Sequence, residues 1–436
     1  MISRLHYTAD TAGVVMDIAY WASTDIGKKR ANNEDSYLID GAMKLFVVAD
    51  GMGGHADGAT ASALAIHTIR GVVQREFDLL DTLDESSSAH LEVGKLLEFS
   101  IHAANDAIQA VAKENPLKIG MGTTVVALLI HDAHGYLAYV GDSRIYLRRS
   151  GVVYQITDDH SILNELLRQG RVTKENFSDS PFARFKNALA RAVGPEPMVD
   201  VDTLDFELAP GDKILMCSDG LYEYTDEEEL VALLADQDTQ DVADKLVAIA
   251  NERGGNDNIT ALVVSVEGGA DEVEGDNALE LLRASPLFED LTSGQLMRLM
   301  AMSMPWAVAD GNPLFDAFDE AEGMYVLLDG EVTVDREGEE LMVLQRGAAF
   351  GALALCVSYM HPASARATGN VRVAFISRAD FQARAAKDPS LSLALLRRIT
   401  EQAAHSLQTK TRIFLETNVE DSSASASSTF LDPMEL

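Results

Sequence analysis

Cysteine is nearly absent: Cys217 and Cys356 are the only two in 436 residues. They form no CxxC pair and each lies in an apolar stretch. Disulfide frameworks and thiolate metal sites are therefore excluded, and two reduced, buried thiols in an intracellular, cytoplasmic protein are expected. Basic residues are scarce as well, with 35 Lys and Arg against 69 Asp and Glu and a formal charge of −34. Nucleic acid and anionic membrane surfaces both demand basic patches, so neither is expected as a partner. No apolar run reaches the ~18 residues that span a bilayer. The first twenty residues carry Arg4, Asp10 and Asp17 without a continuous apolar core, which argues against a secretory signal. A βαβ rhythm and a G-x-G-x-x-G fingerprint are also missing, which disfavours a doubly wound nucleotide fold.

What is present is a large apolar fraction, 47%, enough to build the cores of two or three domains. The most informative stretch is Val47-Val48-Ala49-Asp50-Gly51-Met52-Gly53-Gly54-His55. A β-branched run ends in Asp-Gly and leads into an apolar helical pattern from Ala59. A carboxylate at the exit of a buried strand is held by the core while facing out of it, and the glycines allow close backbone approach. Leu215-Met216-Cys217-Ser218-Asp219-Gly220 repeats that design, and Gly255-Asn256-Asp257-Asn258 precedes a strand-like run from Ile259 to Val266. Three aspartates at three strand ends suggest one site for a hard cation, and the lack of a His/Cys cluster disfavours zinc.

Along the chain, strands are expected at 17–24, 37–39 and 45–49, then helices at 59–76 and 90–113 around a polar loop at 81–88. Strand-like runs follow at 122–130 and 136–140, with a hairpin at 145–149 and 152–156. Residues 157–195 are less regular and suit the rim of a site. A strand at 213–218, helices near 226–234 and 241–251, and the final strand complete a first domain. Glycines and acids over 268–277 read as a linker. Beyond it, 278–302 reads as one helix, 324–334 as a strand turning at Asp329-Gly330, 341–344 and 371–376 as strands, and 391–407 as an amphipathic helix. An acidic, serine-rich tail follows, with the composition of a disordered segment.

Seven motifs occur in one order: Arg30…Asn33-Glu34-Asp35, Ala49 to Gly54, Gly122-Thr123-Thr124, Val140-Gly141-Asp142-Ser143-Arg144, Ala190 to Gly194, Cys217 to Leu221, and Asp257-Asn258-Ile259-Thr260. The series resembles the metal-dependent (type 2C) serine/threonine phosphatases in their bacterial form. The resemblance implies an α+β fold, an αββα four-layer sandwich, over 17–267. It implies two Mn²⁺ or Mg²⁺ ions, with a weaker third, acting on phosphoserine and phosphothreonine of intracellular proteins, among them a Ser/Thr kinase or its targets. Carried over residue by residue, Asp50 bridges the ions and Asp219 and Asp257 complete one. The Gly51 carbonyl and Glu34, directly or through water, serve the other, and Asp142 joins Asp219 at the third. Arg30 grips the phosphate and Asp35 orients a water. Met52 stands where some relatives carry histidine. His55 is then the nearest titratable candidate for the leaving-group acid, with a structural or exposed histidine as the equal alternative.

Residues 279–413 resemble the cyclic-nucleotide-binding β-roll with flanking helices. The resemblance rests on Leu287 to Leu291, Gly311…Phe315, Met324 to Val332 and Gly347…Phe350-Gly351. The boundaries expected are a linker at 268–278, this domain at 279–413 and a disordered tail at 414–436. The family's Phe-Gly-Glu becomes Phe350-Gly351-Ala352, and His361 stands at the phosphate-arginine position, while the register of Arg366 aims it at the wrong face. Cyclic nucleotide binding of the usual kind is therefore not expected, and a regulatory, docking or self-association role is. No helix-turn-helix follows, so a transcription-factor reading fails. Two alternatives stay open on sequence alone: an idle scaffold, and a phosphatase gated by cyclic nucleotide.

Overall fold

The computed structural model describes residues 17–53, 57–80, 87–173, 175–185, 188–236, 238–267, 278–385 and 389–420. The chain divides into two compact units, Met1–Val273 and Glu274–Leu436. The expected linker at 268–277 and the tail from 421 lie outside the described residues.

The first unit opens with β1 (Ile18–Asp25), β2 (Asp35–Asp40), β3 (Leu45–Met52), α1 (Asp57–Leu80) and α2 (Ser87–Glu114). There follow β4 (Gly122–Thr123), β5 (Val125–His131), β6 (His134–Val140), β7 (Arg144–Arg149), β8 (Val152–Gln155) and α3 (Ile162–Arg168). It closes with β9 (Asp202–Glu207), β10 (Lys213–Cys217), α4 (Asp219–Tyr222), α5 (Glu227–Leu233), α6 (Thr239–Arg253) and β11 (Ile259–Val266). Two antiparallel sheets result. One runs β1-β11-β10-β7-β8 and the other β2-β3-β5-β6-β9, with β4 on β3.

Period-two alternation explains why the sheets stack. Leu45, Val47 and Ala49 of β3 and Val125, Ala127 and Leu129 of β5 join a core with residues of α1 and α2. Their neighbours Phe46, Val48, Val126 and Leu128 are equally buried on the opposite face. On the other sheet, Leu215, Cys217, Ala261 and Val263 pack with α5 and α6, leaving Ile214, Met216, Leu262 and Val264 to face inward. Tyr20 of β1 and Phe46 of β3 meet between the sheets at 5.3 Å. The order of layers is thus helix, sheet, sheet, helix, as the motif resemblance implies. β9 was not legible, because Asp202-Thr203-Leu204-Asp205-Phe206-Glu207 offers few apolar residues. Its pairing with β6 makes it a strand.

The second unit comprises α7 (Ala278–Ala284), α8 (Ser293–Ala301), β12 (Met304–Val308), β13 (Pro313–Phe315), β14 (Gly323–Arg336) and β15 (Glu339–Leu344). β16 (Ala349–Phe350), β17 (Ser364–Ser377), α9 (Arg378–Ala385) and α10 (Pro389–Glu420) complete it. One sheet of order β12-β17-β14-β15 carries β13 and β16 as additional pairs, around an apolar core that includes Phe315, Tyr325, Leu327, Phe350 and Val373.

Four expectations need correction. The helix expected over 278–302 is two helices, because Pro286 forces Ser285 into an extended conformation. Thr292 then starts α8 afresh with a capping box to Gln295. Asp329-Gly330 is no turn: β14 continues through it with a shifted register, and Gly330 takes φ +82° where a Cβ would lie 2.5 Å from the Asn370 carbonyl. Cys356 is exposed while Cys217 is buried. α10 runs to Glu420, past the expected tail boundary at 414.

Leu128 sits fully buried in β5. Leu128→Ala is expected to destabilise the first unit by about 2–5 kcal/mol, read as a lower urea midpoint.

Candidate active site

Asp35 and Asp50 stand directly opposite each other across β2 and β3. Directly opposed residues of an antiparallel pair share a face, so the fold places two carboxylates side by side. The Gly122-Thr123-Thr124 motif fixes the Asp50 backbone. The Thr124 hydroxyl accepts from the Asp50 amide at 3.0 Å, and the Asp50 carbonyl accepts from the Thr123 hydroxyl at 2.8 Å and from the Thr124 amide at 2.8 Å. Gly51 donates its amide to the Glu34 carbonyl. A Cβ on Gly51 would lie 2.2 Å from the Gly58 carbonyl oxygen, so only glycine lets the start of α1 come this close.

Asp219 begins α4 directly after β10. Gly220 brings that turn onto the last strand, since a Cβ there would lie 2.0 Å from the Asn258 carbonyl oxygen. Asn258 ties the remaining loop down. Its Oδ1 accepts from the Glu34 amide at 2.8 Å, while its Nδ2 donates to the carbonyls of Ile26 and Asn32 at 2.9 Å each. Arg30 on that loop donates to Asp257 Oδ2 at 2.5 Å.

Asp35 is buried, and its Oδ2 accepts from the hydroxyls of Ser218 and Thr260 at 2.7 Å each. Burial pushes its carboxyl up to about 6 against the pull of those two hydroxyls. Asp50 is held well above the usual range by burial and then by the charges of Asp35, Asp219, Asp142 and Asp257. Burial, followed by Asp142, Asp257, Glu223 and Asp35, lifts Asp219 to about 7. Asp142 rises to about 6 through burial and Asp159. The Arg30 guanidinium, bonded to Asp257 and facing Glu34 and Asp50, is raised despite partial burial.

These couplings bring Arg30, Glu34, Asp35, Asp50, Asp142, Asp219 and Asp257 into one electrostatic neighbourhood, with Gly51 beside Asp50. His55 lies outside the described residues. Two of the buried acceptors, Asp35 Oδ1 and Asp219 Oδ1, have no hydrogen-bond donor among the described residues. Oxygen-only donors, mutually repelling charges and undonated oxygens fit a hard divalent cation. The acids are not closed around a point: among the described residues no three His, Cys, Asp or Glu side chains stand ready to hold an ion, and Asp257 is engaged by Arg30. Sequence reasoning missed the parts played by Ser218, Thr260, Thr123, Thr124 and Asn258. All lie inside the motif segments, yet their contacts cross between strands and only the register reveals them.

Comparison with known proteins identifies the family. Residues 27–262 match the Protein phosphatase 2C family, and residues 306–388 match the cyclic nucleotide-binding domain. The chain is 37% identical over 245 residues to the serine/threonine phosphatase stp of Listeria innocua, spanning 55% of this chain and 93% of that one. The solved Mycobacterium tuberculosis phosphatase PstP/Ppp aligns at TM-score 0.50 and 33% identity over 58% of this chain and 99% of its own. The catalytic domain of PstP in complex with two manganese ions aligns at TM-score 0.48 and 32% identity over 58% of this chain and 100% of its own. The fold is that of a protein-serine/threonine phosphatase. The chain belongs to the protein phosphatase 2C family.

The raised carboxyls have a measurable consequence. A group lifted from 3.8 to about 7 on folding opposes folding fully above pH 7, and the penalty fades as pH falls toward 3.8. With divalent ions chelated, Asp219→Asn is expected to raise the thermal midpoint by about 2 °C or more at pH 8. The gain should shrink in melts recorded at successively lower pH.

Proposed function

We propose that the first unit hydrolyses phosphoserine and phosphothreonine on intracellular proteins in signal transduction, and that the second serves as a regulatory or docking module. The observation that carries the reading is the group of carboxylates gathered from separate strand ends, three of them raised by desolvation and by one another's charge, with undonated oxygens on Asp35 and Asp219. In this reading Glu34, Asp50, Gly51 through its carbonyl, Asp142, Asp219 and Asp257 hold divalent ions, manganese or magnesium. Bound there, the ions supply the charge that offsets the phosphoryl oxygens and a water acidic enough to attack at neutral pH. Asp35 is fixed through Oδ2 by Ser218 and Thr260, which leaves Oδ1 to orient the attacking water. Arg30 binds the phosphate through its planar fork, suited to two oxygens at once.

Exhaustive chelation is expected to abolish hydrolysis of a phosphopeptide, and added Mn²⁺ to restore it. Asp50→Asn should lower kcat by about 100-fold or more with metal present. Ample turnover in the chelated protein would overturn the mechanism.

In the second unit the features that recognise cyclic nucleotide are replaced. Ala352 is fully buried where the family pattern has glutamate. His361, at 1% exposure, lies parallel to the Phe315 ring with centroids 3.6 Å apart and tilted by only 9°. Arg366 sits on the outer face, paired with Asp316 at 2.6 Å and Asp335 at 3.5 Å. Calorimetry with cAMP and cGMP should therefore show no binding heat, and micromolar affinity for either would refute this reading of the domain.

A further inference from the structure

The turn that carries Asp142 is gripped at residues on both sides of it. Gly141 has φ +107°, and a Cβ there would lie 2.6 Å from Thr124 Cγ2. The hydroxyls of Thr124 and Ser143 meet at 2.7 Å. Arg144 donates to Asp159 through Nε at 2.8 Å and Nη2 at 2.7 Å, with its guanidinium 3.6 Å from the centre of the Tyr222 ring. The firmest hold comes from His160, which is 3% exposed. Its amide donates to the Gly141 carbonyl at 2.9 Å, and its ring Nδ1 accepts from the Gly141 amide at 3.1 Å. One residue thus engages both backbone groups of Gly141.

Nδ1 thus serves as the acceptor for the Gly141 amide, while Nε2 lies 3.4 Å from both Arg191 Nη1 and Asp202 Oδ2. Asp202 is held by Arg191 at 2.8 Å, and the imidazole lies stacked on Tyr139 at 5.1 Å and 16°. The ring cannot tilt without breaking one of these contacts. The His160 carbonyl accepts from the Ala190 amide at 2.7 Å, and the chain between leaves and returns through the Ser161–Leu189 bridge. His160 therefore stands at the stem of the 161–189 excursion, with its ring and amide on the turn and its carbonyl on the returning segment at Ala190.

We infer that His160 is the positioning residue for Asp142: it fixes the Gly141 backbone so that the Asp142 carboxylate is held toward Asp219, and it links the 161–189 excursion to that station. The inference rests on the reading of Asp142 as an ion ligand, and the experiment separates the two. His160→Leu removes the acceptor. His160→Asn restores an oxygen where Nδ1 stood, and His160→Gln carries it one bond too far.

Two measurements apply to each variant: exchange of the Gly141 amide in chelated protein, and calorimetric titration with Mn²⁺ alone. His160→Leu is expected to lose protection at Gly141 and to weaken the weakest Mn²⁺ step by about tenfold or more, with His160→Asn recovering much of both. Should His160→Leu fail to fold, the contrast between Asn and Gln carries the same comparison. Equal Mn²⁺ affinity in all three variants, alongside a weakened Asp142→Asn, overturns the positioning role. Wild-type affinity in Asp142→Asn overturns the ligand reading beneath it.

Discussion

Mutual repulsion among partly buried carboxylates is the constraint on which the first unit is organised. Asp50 feels Asp35, Asp219, Asp142 and Asp257 at once, and none of these acids would choose the company of the others in a medium of low dielectric. Attraction among the site residues cannot assemble such a place, so the scaffold must. It does so with neutral donors and with backbone. Hydroxyls of Ser218 and Thr260 hold Asp35, threonines 123 and 124 hold the Asp50 main chain, and Asn258 sews the Arg30 loop to the last strand. Each contact restrains a carboxylate without neutralising it.

Glycine supplies the remaining freedom, and for a steric reason. At Gly51 and Gly220 the obstacle is a carbonyl oxygen of another segment, about two ångströms from where a methyl would stand. Backbone against backbone has no rotamer to yield, so these two positions admit no side chain at all. The Asp-Gly pairs are in this sense one device, in which the first residue brings charge and the second removes the bulk that would keep the neighbouring element away.

Much of this was legible before the fold was known, and the rest was hidden for identifiable reasons. Asp50 and Asp219 declared themselves by ending apolar runs and Asp257 by standing just before one, a signal carried by local sequence. Ser218, Thr260 and His160 did not, because a lone hydroxyl or imidazole has no local signature and takes its meaning from strand register. The longer helices of the first unit were read to within a few residues from their apolar periodicity, and the acid-rich β9 was missed because its pairing, not its composition, makes it a strand. In the second unit Pro286 broke a helix that periodicity alone had joined, and Gly330 marked a bulge where Asp-Gly suggested a reversal.

The final strand of the first unit also has a temporal meaning. β11 is the last described element of that unit, yet it lies inside its sheet between β1 and β10, and Asp257 stands two residues before it. During synthesis β1 must therefore wait, with its pairing edge unfilled, until almost the whole unit has emerged. An unfinished chain lacks both an interior strand of a sheet and one of the acids proposed to complete the ion site. In the proposed reading, competence and completion arrive together.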